Sequence, residues 1–255
     1  MPLELITIPC LDDNYAFVIA NPDTKEAALI DVPDAAPINA TLARTDYRLT
    51  TVLLTHHHWD HIDGLPDLDG HEALTIIGAQ ADKHRLPALD IAVVEGDIVT
   101  LCGEEAHVLD VSGHTIGHIA IHLPASKLAF TADSLMAMGC GRLFEGTPDQ
   151  MWGSMLKLRR LPDDTQVCSG HEYTTSNAEF ALDLEPDNPD IISRMSDIAA
   201  TRAAGNPTVP SLLGLEKQTN PFLRADDPAL MAAIGMTGDD PKSVFAEIRG
   251  RKDRF

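Results

Sequence analysis

Short apolar runs separated by turn signals dominate the first two thirds of the chain. Turns such as Asp12-Asp13-Asn14 and Glu95-Gly96-Asp97 punctuate them. The runs that predict strands are 5–8, 16–20, 27–30, 52–54, 106–111, 119–123, 128–130 and 166–168. Helices are predicted after Pro37 and at Thr147-Pro148-Asp149-Gln150, where a cap, a first-turn proline and an N3 glutamine stand in capping-box order. The pattern therefore predicts an α/β fold with several buried strands.

The last third of the chain has a different pattern. Asn188-Pro189, Asp227-Pro228 and Asp240-Pro241 each place a capping residue before a proline that opens an amphipathic run. We therefore expect two domains, an α/β domain over residues 1–173 and a small helical domain over residues 174–255.

Composition narrows the class of protein. A chain of 255 residues with 44% apolar content can bury a substantial core. Apolar runs such as 128–132 are far shorter than the ~20 residues that span a bilayer, so no membrane segment is expected. The first residues lack the basic and apolar regions of a secretory signal, which favours the cytoplasm. The four cysteines show no CxxC spacing, so we expect neither disulfides nor a cysteine-based zinc site.

The charge of the chain bears on its partners. A net charge of −20 disfavours binding to nucleic acid or anionic lipid. A small anionic substrate would need a local basic group, and the C-terminal segment supplies the candidates Arg249, Arg251, Lys252 and Arg254. Composition alone favours a solvated tail there.

The densest group of metal-competent side chains follows the apolar run 52–54. The sequence Thr-His-His-His-Trp-Asp-His at 55–61 contains four of the eleven histidines. In an extended segment, alternate side chains share a side, so that His56 and His58 can bind one ion while His57 points away. A helix beginning there would direct Asp60 and His61 to a second ion. A solvated polar loop is the alternative, but it does not explain so many metal-competent groups after an apolar strand.

Further ligands must come from other strand ends, because a catalytic ion needs about three protein ligands and an open position. His114, Asp133 and His171 each follow a predicted strand. Taken singly, a residue of this kind is more often a turn or capping residue than a ligand. The histidines without a partner at ligand spacing, which we interpret as structural, are His57, His71, His84, His107, His118 and His122.

Together these residues resemble the metallo-β-lactamase superfamily over about 3–175. The resemblance implies an αββα sandwich with a small C-terminal helical domain. It also implies two divalent metal ions, zinc by preference, although the same ligands accept iron or manganese. On this resemblance His56, His58 and His114 hold one metal. Asp60, His61 and His171 hold the other, and Asp133 bridges the two.

Within the superfamily the chain resembles the glyoxalase II family, the hydroxyacylglutathione hydrolases. The segments that carry this resemblance are Asp13-Asn14-Tyr15, Gly139 to Thr147, Gly170 to Thr174 and Asn220-Pro221-Phe222-Leu223-Arg224. The resemblance implies that the helical domain helps to bind glutathione. Arg249 and Lys252 would contact its glycine carboxylate, and Tyr173 and the segment from Arg142 to Phe144 would line its site. Some members have Lys and Tyr where this chain has Arg142 and Phe144, so a contact from a phenol hydroxyl is absent here.

The implied reaction is hydrolysis of S-(2-hydroxyacyl)glutathione, such as S-D-lactoylglutathione, to D-lactate and glutathione, the second step of methylglyoxal detoxification. A hydroxide shared by two metal ions would be the nucleophile, and the catalytic carboxylates would be Asp60 and Asp133. The expected partner is the small-molecule thioester, with neither nucleic acid nor membrane, and the expected state is a monomer.

The sequence leaves other activities as alternatives. A persulfide dioxygenase shares much of the ligand set but uses one iron, and a lactonase or a less selective thioesterase shares the fold. A nucleic-acid-processing relative is disfavoured by the charge. A non-catalytic binding module would show gaps among the seven predicted ligands, and the sequence has none.

Overall fold

The computed structural model describes residues 2–255, which form two compact units. The first contains the chain up to Asp110 together with Ile116–Ala132. The second contains Val111–Thr115 and Asp133–Phe255. These units are a different division of the chain from the predicted domains, 1–173 and 174–255, which stay a prediction.

A mixed sheet of six strands forms one layer of the first unit, with the strands side by side in chain order. They are β1 (Glu4–Cys10), β2 (Asn14–Ala20), β3 (Glu26–Ile30), β4 (Arg48–Leu54), β5 (Thr75–Ala79) and β6 (Ile91–Val93). β1 to β3 are antiparallel, and β3 to β6 are parallel. Because β3 and β4 are parallel neighbours, the segments that follow them begin at the same edge of the sheet.

Four antiparallel strands form a second layer of the first unit. They are, in spatial order, β7 (Ile98–Leu101), β8 (Glu104–Asp110), β9 (Ile119–Leu123) and β10 (Leu128–Ala132). The Phe17 ring of β2 lies 5.6 Å from the Phe130 ring of β10, so the two layers pack face to face. Ile38 of helix α1 (Ala35–Leu42) packs with Val18 and Leu29 on the other face of the first sheet. All seven residues of β2 are consequently buried, in accord with the apolar run from Ala16 to Ala20.

Short helices complete the first unit. Helix α2 spans Trp59–Ile62. Three 3-10 helices span Leu65–Asp67, His71–Ala73 and Gln80–Asp82.

The second unit is mainly helical. Its strands are β11 (Leu135–Met136), β12 (Gly139–Cys140), β13 (Gln166–Ser169) and β14 (Ser211–Leu212). Its helices are α3 (Pro148–Arg159), α4 (Thr174–Leu184), α5 (Pro189–Ala203), α6 (Leu213–Thr219), α7 (Pro228–Ala233) and α8 (Pro241–Lys252), with a 3-10 helix at Pro221–Leu223. Phe222 lies at the centre of a row of aromatic rings, 5.8 Å from Phe245 and 6.1 Å from Phe180. These rings join α8, the 3-10 helix and α4 in one apolar core.

The predicted elements are confirmed. All eight predicted strands are present, and the capping box at Thr147 is formed by both of its hydrogen bonds. Asn188, Asp227 and Asp240 cap α5, α7 and α8 as expected. The sequence did not predict β5 to β7 or the two-residue strands. Strands of two to four residues carry little pattern of their own, and β5 contains a glycine, a residue depleted in strands.

Two further expectations concern the chain as a whole. Within residues 2–255, none of the helices combines the length and apolar character needed to cross a bilayer. The four cysteines are free and buried. Burial raises the pKa of Cys10, Cys102 and Cys140 to about 11, so these thiols stay protonated near neutral pH.

Candidate metal centre

The histidine-rich segment lies where β4 ends and α2 begins. His58 is extended, with ψ 141°, and caps α2, which carries Asp60 and His61. The ring of His56 lies 4.8 Å from that of His58 and 4.2 Å from that of His61. His56 and His61 are fully buried. The change from extended chain to helix therefore gathers three imidazoles within one short segment.

A buried carboxylate, Asp31, organises this segment. Its two oxygens accept hydrogen bonds of 2.8 Å from the backbone N–H and the hydroxyl of Thr55, and His61 Nδ1 donates to Oδ2 at 2.8 Å. The Thr55 hydroxyl has one proton, which goes to Asp31, so this oxygen accepts from His56 Nδ1 at 3.0 Å. Both imidazoles are thereby fixed with Nε2 as the nitrogen that can bind a metal. The Asp31, His56 and His61 ligand atoms lie within 4.8 Å of one another.

Asp31 was not predicted from the sequence. The available signal was its position directly after β3, since acids at strand ends were already candidates elsewhere in the chain. Its backbone adopts the left-handed conformation, with φ 59°, which asparagine and aspartate tolerate better than most residues. This turn directs the carboxylate back toward Thr55.

The contact between Asn14 and Asp60 was not predicted either. Its Nδ2 donates to the Asp60 carbonyl at 3.0 Å and to Asp60 Oδ2 at 3.1 Å. Asn14 is buried at the start of β2. It therefore holds both the backbone and the carboxylate of Asp60, a predicted ligand.

His57 belongs to a separate hydrogen-bond network. Its Nδ1 lies 2.9 Å from Asp82 Oδ2, and Arg85 Nε donates to Asp82 Oδ1 at 2.8 Å. Asp82 is fully buried. His57 is thus oriented by Asp82, and its interpretation as structural stays a prediction.

His118 is another histidine without a ligand partner in the sequence. It is fully buried and stacks on His56 with the ring centroids 4.5 Å apart. Its Nδ1 lies 3.1 Å from the Ile119 carbonyl oxygen. His118 therefore packs behind a predicted ligand.

The second unit brings His114, Asp133 and His171 together. Asp133 Oδ2 lies 3.4 Å from His114 Nε2 and 3.3 Å from His171 Nε2, and all three residues are buried. His114 Nδ1 donates to the Arg142 carbonyl at 2.7 Å, so in the neutral imidazole the lone pair is on Nε2. A lone pair on Nε2 and a carboxylate oxygen at this distance repel each other, and a cation that binds both atoms would remove the repulsion. The donor set of buried imidazole and carboxylate therefore fits a divalent metal such as zinc, iron or manganese.

Two family models match the chain. The metallo-beta-lactamase superfamily model matches residues 11–171, and the model described as hydroxyacylglutathione hydrolase C-terminus matches residues 172–255. A protein of Ruegeria pomeroyi named hydroxyacylglutathione hydrolase is 62% identical over 255 residues, which is 100% of each chain. The chain belongs to the hydroxyacylglutathione hydrolase family. The predictions of glyoxalase II and of a metal-dependent thioester hydrolase are thereby confirmed.

Solved structures agree on the fold. The B3 metallo-beta-lactamase BLEG-1 has a TM-score of 0.67 and 21% identity, with 86% of this chain and 99% of that one covered. A di-iron-bound form of TTHA1623 has a TM-score of 0.62 and 23% identity, with 86% of this chain and 100% of that one covered. The predicted metallo-β-lactamase fold with a C-terminal helical part is confirmed. The superfamily and the His and Asp clusters fit a dinuclear metal site, as expected for this family.

Two predicted substrate residues of the hydrolase lie on predicted ligands of the second unit. The Tyr173 ring stacks on His171, with ring centroids 4.7 Å apart and planes 7° apart. The Phe144 ring packs edge-on against His114, with 5.3 Å between the centroids. Both aromatic side chains are exposed. Each therefore presents apolar surface beside an imidazole of the cluster.

The two predicted cations near the C-terminus have different surroundings. Arg249 is buried. Its Nη1 donates to the Cys140 carbonyl at 2.9 Å, while Nε and Nη2 donate to Asp253. Lys252 is half-buried and donates to the Ser176 carbonyl at 2.9 Å. Arg249 is thus held by the protein, whereas Lys252 lies nearer the surface.

Aromatic rings surround the Lys252 ammonium. Its Nζ lies 5.2 Å from the centre of the Phe180 ring and 5.1 Å from that of Phe255. Burial, reinforced by the charge of Arg249, lowers the pKa of Lys252 to about 8, although Glu179 opposes this shift. The remaining predicted residue, Arg142, is exposed and lies 3.4 Å from Asp253. The assignment of all five residues to substrate stays a prediction.

Proposed function

We propose that this chain hydrolyses S-(2-hydroxyacyl)glutathione thioesters such as S-D-lactoylglutathione to a 2-hydroxy acid and glutathione, the second step of methylglyoxal detoxification. The full-length similarity to the hydroxyacylglutathione hydrolase of Ruegeria pomeroyi carries this proposal. The two clusters of buried imidazoles and carboxylates support it, because their chemistry suits metal-dependent hydrolysis of an acyl group.

The proposed ligand set follows the family. We propose that His56, His58 and His114 would hold one metal and that Asp60, His61 and His171 would hold the other, with Asp133 as a ligand shared by both. The position of Asp133 Oδ2 supports the bridge, since it lies near His114 Nε2 and His171 Nε2, one imidazole from each set. We propose zinc for both positions, and iron and manganese suit the same donors. When bound, the ions would lower the pKa of a water molecule and polarise the thioester carbonyl.

The protein contributes orientation around these ligands. Asp31 and Thr55 fix the ring orientations of His56 and His61, and Asn14 holds the Asp60 carboxylate. We propose that Asp60 also orients the attacking water through its carboxylate. The leaving glutathione thiolate is weakly basic, so the reaction requires no general acid at the sulfur.

Substrate binding is assigned to the exposed surface of the second unit. Phe144 and Tyr173 would contact the thioester region, because each packs on a predicted ligand. Lys252, supported by Arg249, would attract the glycine carboxylate of glutathione, and Arg142 would add a further positive charge. The half-burial of Lys252 supports this assignment, because a partly dehydrated ammonium gains more from a carboxylate than an exposed one does.

The proposal also covers the location of the enzyme, its oligomeric state and its domains. We place the enzyme in the cytoplasm, which the four buried, unbridged cysteines support. We propose a monomer, to be tested by light scattering after gel filtration. We also propose that residues 1–173 form the catalytic domain and residues 174–255 the helical glutathione-binding domain.

Steady-state hydrolysis of S-D-lactoylglutathione by the purified chain, followed as loss of the thioester absorbance, tests the function. We expect turnover with two metal ions per chain and a raised KM in the Lys252→Ala variant. Arg254→Ala serves as the matched control, because it removes an exposed cation from the same segment. Lack of turnover by the fully metallated chain would reject the proposal, and oxygen uptake with glutathione persulfide would then be measured.

A further inference from the structure

A small buried hairpin of the second unit links the predicted ligand Asp133 to Arg142, whose carbonyl binds His114. Strands β11 and β12 pair through Leu135 with Cys140 and Met136 with Gly139. The hairpin follows Asp133 directly and leads into Gly141 and Arg142. Residues 131–141 are all buried, so the backbone polar groups of the hairpin require hydrogen-bond partners within the protein.

Side chains from three helices and from the residue that follows one of them supply these partners. They are Asn177 of α4, Glu216 of α6, Asn220 directly after α6, and Arg249 of α8, which we call the hairpin clamp. The hairpin groups that they bind are the carbonyls of Met136, Ala137, Gly139 and Cys140 and the N–H of Met138, at distances of 2.8 to 3.1 Å. A hairpin of two-residue strands is marginal by itself, so the clamp determines its position.

The clamp is itself held rigidly. Glu216 is fully buried and forms an ion pair with Arg194 of α5. Asn220 is also fully buried, and its Oδ1 accepts a hydrogen bond of 3.0 Å from the Phe222 N–H. A buried pair that is fully hydrogen-bonded fixes a single geometry. The hairpin therefore rests on a stiff support.

The other end of the hairpin lies against two predicted metal ligands. A Cβ atom on Gly141 would lie 2.0 Å from the Asp133 carbonyl oxygen and 2.9 Å from His114 Nδ1. Gly141 N–H donates to the Ser134 carbonyl at 3.1 Å, and the next residue, Arg142, accepts from His114. A displacement of the hairpin would consequently move both ligands.

We propose that the hairpin clamp positions the predicted ligands His114 and Asp133. Its side chains do not bind the metal or the substrate in this role, and they act through the hairpin backbone. The helical part of the chain then sets the geometry of the metal-binding cluster in addition to providing substrate contacts. This inference rests on the proposed function for its kinetic readout, but metal retention tests it independently.

Asn220→Ala is the decisive variant, because it removes the hydrogen bonds to two hairpin carbonyls. Asn188→Ala is its matched control. Asn188 is likewise an asparagine cap of the helical part and likewise donates a hydrogen bond to a glutamate, Glu185, but its side-chain partners lie outside the hairpin. Both variants are expected to lower the melting temperature through loss of a cap. Only Asn220→Ala is expected to lose metal to a chelator about tenfold faster and to lower kcat about tenfold with little change in KM.

Equal metal retention and kcat in the two variants would overturn the proposal. If Asn220→Ala does not fold, Asn177→Ala decides by the same criteria, since it removes the hydrogen bond from Asn177 to the Ala137 carbonyl. Should the wild-type chain fail to hydrolyse the thioester, the proposed function fails, and the comparison of metal retention still decides the role of the clamp.

Discussion

The two units hold their predicted ligands by different means. In the first unit, the side chain of Asp31 binds His61 directly and His56 through Thr55. In the second unit, His114 is held by a backbone carbonyl, and the hairpin that positions Asp133 is itself held by helices. The first arrangement depends on a few residues, whereas the second depends on a large part of the unit. Substitutions at the two clusters should therefore have different consequences.

The largest effect is expected for Asp31→Asn. Asparagine tolerates the left-handed backbone of this position, but it cannot accept all the hydrogen bonds that Asp31 accepts from Thr55 and His61. Loss of such a contact behind a metal ligand typically costs 10- to 100-fold in metal affinity or activity, so about that loss is expected in kcat/KM. Metal analysis and kinetics measure it.

Asp34→Asn is the control for this substitution. Asp34 caps α1 three residues further along the chain, and asparagine caps helices as well as aspartate does. Its kcat/KM should stay at the wild-type value. If Asp31→Asn behaved in the same way, a direct role for Asp31 in orienting the ligands would be wrong.

A smaller effect, confined to stability, is expected for Asp82→Asn. The variant weakens the hydrogen bonds to His57 and Arg85, and leaving such buried groups unsatisfied costs about 1–3 kcal/mol in the free energy of unfolding. The kcat of the metallated variant should stay close to that of the wild type. Urea unfolding and steady-state kinetics check both expectations. Asp46→Asn, at an exposed ion pair with Lys25, should cost less than about 1 kcal/mol. A large fall in kcat for Asp82→Asn would show that His57 participates in the reaction.

The smallest effect concerns pH and the second unit. Lys252, with its pKa lowered to about 8, is charged at pH 7 and becomes neutral as the pH rises. Attraction of a substrate carboxylate is therefore present below pH 8 and lost above it, and KM should rise several-fold between pH 7 and pH 9, up to about tenfold. In Lys252→Arg the guanidinium stays charged, so the rise should disappear. An equal rise in both proteins would assign the pH dependence to another group.

The ligand-bearing segment of the first unit could be predicted because its information is local. Residues 55–61 combine an apolar strand with imidazoles at alternate positions, and each feature is visible in a short window. Asp31 and Asn14 were missed because their partners lie 30 and 46 residues away in the chain. Only the parallel pairing of β3 with β4 brings Asp31 to Thr55.

The hydrogen bonds of the hairpin clamp, which support the second cluster, were harder still to predict from the sequence. Glu216 and Met138 are 78 residues apart, and Asn220 and Met136 are 84 residues apart. Strands of two residues give no periodic signal, and a buried glutamate is not distinguished by sequence from an exposed one. The helices that begin after Asn188, Asp227 and Asp240 could be predicted with their caps. The individual helices α4 and α6, and the hairpin groups with which Asn177 and Glu216 form hydrogen bonds, could not.

The hairpin clamp also limits how small a working version of this chain could be made. A fragment ending at Tyr173 would retain all seven predicted ligands, yet it would lack every member of the clamp. Five buried backbone groups would then need other partners, at about 1–3 kcal/mol for each that found none. Such a cost is comparable with the entire stability of a typical domain, about 5–15 kcal/mol. A minimal hydrolase designed from this chain would have to rebuild the support of the hairpin before the ligand motif could be transplanted.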